Sequence, residues 1–186
     1  MNSSQSDVDA LMDRAFELLD RNNAQEALKV GRQLEDRRYS GGFEIQALAL
    51  AALHRRAEAI KVLERGVATI PHVWLLWQLL GNYRSDAGDY EGAIEAYVHA
   101  LTEDCDTVSV AYNHANVLAR AGRWDEAEER LAPVFVNGLL AEADPQLALY
   151  IINLQEDMLR QKGRDEEAGA FVEGHAAIIA RAAKVG

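Results

Sequence analysis

The chain has 186 residues and a formal net charge of −11 at pH 7. This surplus of Asp and Glu disfavours nucleic acid and anionic membrane surfaces as partners, because both repel an acidic protein. A single cysteine, Cys105, excludes an internal disulfide framework and gives no metal-ligand spacing. Only three prolines interrupt a chain of this length, which favours an almost wholly helical protein.

Predicted helices follow one another in pairs along the chain. We expect these pairs over residues 7–36, 43–69, 72–103, 107–137 and 145–183. Ser6 opens the first helix with a capping-box pattern, and Pro71 predicts both a break and the start of the third pair. Asp144 and Pro145 predict the N-cap and first residue of the long helix in the fifth pair. About seven extra residues, near 138–145, form an insertion before that helix.

A small residue recurs at one place in every predicted pair. The spacings between these marker alanines are 32, 34, 34 and 41 residues, and they are Ala27, Ala59, Ala93, Ala127 and Ala168. Five residues before each stands a turn residue: Asn22, His54, Gly88, Gly122 and Gly163. A period of 34 residues, one helix pair long, predicts a solenoid of stacked pairs. An alanine at this place lets the second helix approach the first, where a larger side chain would overpack.

The third pair resembles the tetratricopeptide repeat. That repeat has an aromatic residue, then Leu-Gly, then an Ala followed four positions later by an aromatic residue. The matching residues are Trp77, Leu80, Gly81, Ala93, Tyr97 and Ala100. The resemblance is clearest over residues 40–140. It implies an all-α, right-handed superhelical solenoid of about five antiparallel helix pairs. No Gly-, Ser- or Pro-rich linker divides the chain, so we expect a single domain over 1–186.

The resemblance also implies a non-enzymatic interaction module that binds a peptide or helical segment of a partner protein in its concave groove. The first helix of each pair should line this groove, and the register predicts its polar members: Gln78, Asn82, Tyr112, Asn113, Asn116, Arg120 and Asn153. Asn82 and Asn116 lie one repeat apart in the same column. An amide carries a donor and an acceptor, so a ladder of amides could hold the backbone of an extended peptide. The alternative is that these asparagines bond only water or each other.

The N-terminal part of the predicted groove is apolar, with Met12, Phe16, Leu19 and Leu48 in its register. A contiguous exposed apolar patch marks an interface. The alternative function is therefore a dimeric tetratricopeptide chaperone or structural protein that associates through its first helix pair. An amphipathic helix of a partner is another occupant. If the first helix tilts inward, the same residues are ordinary core.

No residue pattern predicts catalysis, a cofactor or a metal site. The five histidines lack the HExxH spacing, and we expect His114 to be a packing residue. The expected partner is another protein, with a homodimer as the alternative and neither nucleic acid nor membrane as a partner. The first residues lack a basic region that leads into an apolar run, which predicts a cytoplasmic location.

Overall fold

All secondary structure is helical in residues 3–101, 105 and 107–184, the part of the chain that the computed structural model describes. Backbone contacts divide the chain into two compact units, Met1–Glu103 (unit 1) and Asp104–Gly186 (unit 2). Each unit consists of helix pairs joined by tight turns, so the all-α fold class is confirmed. The single-domain expectation stays a prediction. No helix in the described ranges combines the length and the apolar composition needed to cross a membrane.

Unit 1 contains three helix pairs. Their helices are α1 (Ser3–Asp20), α2 (Ala24–Asp36), α3 (Gly41–Ala52), α4 (Arg56–Thr69), α5 (Trp74–Asp86) and α6 (Tyr90–Leu101). Each helix contacts the next along the chain, and the first helices of neighbouring pairs also touch, α1 with α3 and α3 with α5. This is the contact pattern of stacked antiparallel pairs. The observed helices lie within a few residues of the first three predicted pairs, and the predicted residues 102–103 lie outside the described residues.

Three helix starts in unit 1 differ from the predicted ones. The helix α3 begins at Gly41 instead of residue 43, so Gly41 and Gly42 belong to the helix and not to the loop before it. The first helix begins at Ser3 instead of Ser6, because no Pro or Gly interrupts the residues between them. The helix expected to begin directly after Pro71 begins at Trp74, since Val73 has extended backbone angles. The indole N–H of Trp77 donates to the carbonyl of Pro71 over 2.8 Å, which fixes Pro71 in the turn before the helix.

Unit 2 contains helices of less regular length. They are α7 (Thr107–Arg120), α8 (Trp124–Val136), α9 (Leu139–Glu142), α10 (Pro145–Gln161), α11 (Asp165–Gly174) and α12 (Ala176–Ala182). The long helix α10 contacts α7, α8, α11 and α12. Its predicted N-cap is confirmed, because the carboxylate of Asp144 accepts from the backbone N–H groups of Gln146 and Leu147 over 2.9 and 3.1 Å.

The last predicted helix is interrupted at His175. In a continuous helix the carbonyl of Phe171 would accept from the backbone N–H of His175. Here the ring Nδ1 of His175 lies 2.7 Å from that carbonyl, and the backbone N–H turns to Val172 instead. The single helix expected after Gly163 is therefore two helices, α11 and α12. The insertion near 138–145 likewise contains a short helix, α9, which follows the left-handed Gly138.

The predicted turn residues and marker alanines are confirmed. All five turn residues have positive φ, from 57° at Asn22 to 83° at Gly88. All five marker alanines are completely buried, with 0 % exposure. Gly81 has a related role, since a Cβ atom there would lie 2.7 Å from Cε1 of Tyr97. The helices of each pair therefore approach closely at the places that the sequence assigns to small residues.

Candidate interaction surfaces

A polar and aromatic surface covers one side of unit 2. Its residues on α7 share a face because they are three or four positions apart, and α10 packs beside α7. We call it the tyrosine–asparagine surface, and its members are Tyr112, Asn113, Asn116, Arg120, Tyr150 and Asn153. All of them are half-buried or exposed. Four of the residues that the sequence predicted for the groove thus lie on α7, and a fifth, Asn153, lies on α10, which contacts α7.

Two tyrosines join the α7 and α10 parts of this surface. The ring centroids of Tyr112 and Tyr150 are 6.2 Å apart, with their planes inclined by 22°, and Tyr150 is 53 % exposed. Burial raises the pKa of Tyr112, and the neighbouring Tyr150 adds a smaller contribution in the same direction. The Tyr112 phenol is therefore neutral at physiological pH and acts as a hydrogen-bonding aromatic group.

Sequence reasoning missed Tyr150. Counting back from Ala168 assigned Asn153 to the row of Tyr112, whereas the structure stacks Tyr112 against Tyr150, one turn earlier on α10. The signal was present in the sequence, because an aromatic residue three positions before a predicted groove residue lies on the same helix face.

The opposite face of α7 is core. His114 is 2 % exposed, which confirms the prediction of a packing residue. Burial lowers its pKa to about 4, and the charges of Arg130 and Arg123 act in the same direction. The imidazole is therefore neutral at physiological pH.

The predicted groove residues of unit 1, Gln78 and Asn82, lie on α5 and are half-buried. The hydroxyl of Tyr97 donates to the amide oxygen of Asn82 over 2.6 Å. That oxygen is therefore an acceptor inside the helix pair, and the NH₂ group supplies the donors of the Asn82 side chain.

The N-terminal apolar patch consists of Met12, Phe16, Leu19 and Leu48, on the contacting helices α1 and α3. Phe16 is 41 % exposed, and the other three are half-buried. The patch is therefore partly open to solvent, and its members Met12 and Leu19 pack against a buried cluster that includes Ala15, Leu34 and Ile45.

Three carboxylates lie close to the patch residues along α1 and α3. Asp13 and Asp20 are exposed on α1, three residues before and four residues after Phe16. Glu44 on α3 is half-buried, one turn before Leu48. Burial raises the pKa of Glu44. Within the described residues, no group of three or more His, Cys, Asp or Glu side chains could hold a metal ion.

Comparison with known proteins confirms the resemblance to tetratricopeptide repeats. The family model of a tetratricopeptide repeat matches residues 85–135. Among solved structures, the nearly identical TPR-like repeats of a candidate kinesin light chain from Podosopora anserina give a TM-score of 0.76 at 18 % identity, over 99 % of both chains. MamA gives 0.74 at 15 % identity, over 91 % of this chain and 96 % of that one.

A thermophilic TPR protein of Thermus thermophilus gives a TM-score of 0.67 at 24 % identity, over 80 % of this chain and 81 % of its own. No curated protein matches the chain. At these identities the similarity establishes the fold, and the function has to be argued from the surfaces of this chain.

Proposed function

We propose that this chain, which carries a tetratricopeptide repeat at residues 85–135, is a non-enzymatic module that binds an extended peptide of another protein on the tyrosine–asparagine surface. The observation that supports this proposal most directly is the exposed ring of Tyr150, which stacks on Tyr112 across two helices. Such a pair offers a large apolar contact area with few rotatable bonds to immobilise. Tyrosine is accordingly enriched among the residues that dominate binding energy at interfaces.

The amides of this surface complement the aromatic pair. Asn116 is one turn after Tyr112 on α7, and Asn153 is one turn after Tyr150 on α10. Each amide donates and accepts, so it can bond the N–H and C=O groups of an extended backbone whatever side chains the peptide carries. The rings then select the peptide, because they favour an apolar or aromatic side chain between the amide contacts.

Unit 1 carries a smaller site of the same chemistry, which we also propose as a peptide contact. Gln78 and Asn82 are one turn apart on α5. Tyr97 already donates to the Asn82 oxygen, so Asn82 serves there as a donor to a peptide carbonyl. Its contribution to binding should be smaller than that of the aromatic surface of unit 2.

Peptide selection followed by titration tests this proposal. Peptides selected from a random library on the wild-type protein are titrated against Tyr112→Ala, Tyr150→Ala and Asn116→Ala. Each substitution should weaken binding about tenfold or more, as expected for residues that dominate an interface. The matched control is Asn137→Ala, which removes an exposed amide outside the surface and should leave the affinity unchanged.

Equal affinities for all four variants, with circular dichroism unchanged, would contradict the assigned surface. A library that yields no binding peptide for the wild type, under conditions where a known peptide-binding domain succeeds, would contradict peptide binding itself.

A further inference from the structure

The N-terminal apolar patch combines an exposed aromatic ring with carboxylates on both sides. Phe16 exposes 41 % of its surface, and Asp13 and Asp20 lie on the same side of α1 because they are three and four positions away. Leu48 extends the apolar area onto α3, which packs against α1. Exposed apolar area of this kind marks an interaction site, and the flanking charges specify the chemistry of what covers it.

Glu44 is the most informative of these carboxylates. It is half-buried beside the apolar residues, and burial raises the pKa of its carboxyl group. The structure gives it no hydrogen bond and no ion pair with any described residue. A carboxylate that is partly shielded from water and has no partner is less stable than one in open solvent. A cation brought by a ligand would stabilise it through a charge-assisted hydrogen bond.

We propose that the N-terminal apolar patch binds a basic amphipathic helix of a partner protein. The apolar face of that helix covers Phe16 and Leu48, and one of its Lys or Arg side chains pairs with Glu44. This site is separate from the tyrosine–asparagine surface and does not depend on the peptide binding proposed for unit 2.

The spacing of the apolar residues fits a helical ligand. Met12, Phe16 and Leu19 follow the i, i+4, i+7 pattern along α1 and so cover about 10 Å of one helix face. Leu48 lies on the neighbouring helix α3, which contacts α1, so it can supply a further apolar contact beside this face. An amphipathic helix that lies along such a face inserts anchors with the same spacing.

A second copy of this chain is a poorer occupant. A two-fold contact places the same patch on both sides of the interface. The carboxylates Asp13, Asp20 and Glu44 of both copies would then gather at one interface, and like charges in a partly dehydrated interface repel. The net charge of −11 adds long-range repulsion between copies, whereas it attracts a basic helix.

The test uses a fluorescent 18-residue helical peptide with leucines on one face and lysines on the other, and a second peptide with glutamates in place of the lysines. The wild-type protein should bind the lysine peptide and not the glutamate peptide. Glu44→Gln and Phe16→Ala should each weaken binding about tenfold, because one loses a charge-assisted hydrogen bond and the other an apolar anchor. The matched control is Glu95→Gln, an exposed residue on α6, which should weaken binding less than twofold.

Three outcomes would overturn the proposal. Equal affinities of Glu44→Gln and Glu95→Gln would show that the peptide responds only to overall charge. Loss of lysine-peptide binding in Tyr112→Ala or Tyr150→Ala would place the helix on unit 2 instead. A wild-type dimer in sedimentation that Phe16→Asp converts to a monomer, with no peptide bound, would show that a second copy covers the patch.

Discussion

Each marker alanine lies on the second helix of its pair and has no surface exposed to solvent. Any added side-chain volume must therefore displace the first helix of the pair. Ala93 and Ala127 are the best test positions, because both fall within the repeat matched at 85–135. The two helices of a pair can pack this closely because the marker alanines have no side-chain atoms beyond Cβ.

We predict that Ala93→Leu and Ala127→Leu each lower the free energy of unfolding by ~1–3 kcal/mol through overpacking. Urea unfolding followed by circular dichroism measures the change. Ala132→Leu is the matched control, since Ala132 is exposed on the same helix as Ala127 and should change stability by less than about 0.5 kcal/mol. Equal stabilities for the Ala127 and Ala132 variants would show that the packing register is wrong.

His114 makes the stability of the fold dependent on pH. Its folded pKa of about 4 lies below the ordinary value of 6.5, so the unfolded chain binds the proton more tightly. The neutral ring of His114 makes its full contribution to the free energy of unfolding above about pH 6.5, and this contribution is lost as the pH falls towards 4. Between pH 7 and pH 5 this linkage should cost about 2 kcal/mol.

The corresponding prediction concerns His114→Gln, in which the side chain does not titrate. Urea unfolding at pH 7 and pH 5 should show a smaller loss of stability in this variant than in the wild type, by about 2 kcal/mol. His54→Asn controls for the loss of a histidine, because His54 is exposed and Asn tolerates its left-handed backbone. The prediction fails if the wild type and His114→Gln lose stability in parallel.

At the scale of helices, an ion-pair cluster ties α8 to the turn between α10 and α11. The carboxylate of Glu128 accepts from Lys162 over 2.6 Å and from Arg164 over 2.9 Å. Lys162 also pairs with Asp125 over 2.6 Å. The hydrogen bond from Lys162 is the largest effect on the pKa of Glu128 and lowers it. The hydrogen bond from Arg164 also lowers this pKa, whereas partial burial raises it by less than the Lys162 bond lowers it. The ionised Glu128 carboxylate therefore stabilises the fold at pH values above the unfolded-state pKa near 4.5. This stabilisation is lost as the pH falls through the lower pKa of Glu128 in the folded state.

We predict that Glu128→Gln lowers the free energy of unfolding by about 1 kcal/mol at low salt, a modest value because the cluster is partly exposed. The difference from wild type should shrink in 1 M NaCl, where charges are screened. Glu129→Gln, at the exposed neighbouring position, serves as the control and should have little effect. A difference that is independent of salt would show that Glu128 contributes through packing and not through charge.

The sequence predicted the helix pairs well because their signals are local. Turn residues such as Asn22 and Gly122 tolerate or favour the left-handed backbone that the turns require, and a regular period places them. The break at His175 was not predictable in this way. At this break the ring of His175 lies against the carbonyl of Phe171, and the conformation of one side chain does not follow from a periodic pattern.

The candidate surfaces were predicted less completely than the helices. The period of the repeat placed Tyr112 and Asn116 on one face, but the insertion near 138–145 interrupts that period, so counting did not give the α10 residue that meets Tyr112. Tyr150 was therefore missed, although it stacks on Tyr112. The bond from Tyr97 to Asn82 was also invisible, because it joins two helices through side chains whose rotamers depend on packing.

At the scale of the whole molecule, the chain presents two surfaces of different chemistry. Unit 1 offers apolar residues flanked by carboxylates, and unit 2 offers tyrosines and amides with Arg120 at one end. The net charge of −11 favours encounters with basic polypeptides at low salt. Both surfaces consist of side chains suited to binding polypeptide, which is the basis of the proposed interaction function.

Site-specific photo-crosslinking tests this account most directly. A benzophenone amino acid replaces Tyr150, which preserves an aromatic side chain, or Val136, which is 83 % exposed on α8 outside the surface. Irradiation in lysate of the source cells should attach a partner polypeptide to position 150 and not to position 136, and adding Tyr112→Ala should abolish the adduct. The same adducts from both positions, or an adduct only from position 136, would contradict peptide binding at the tyrosine–asparagine surface.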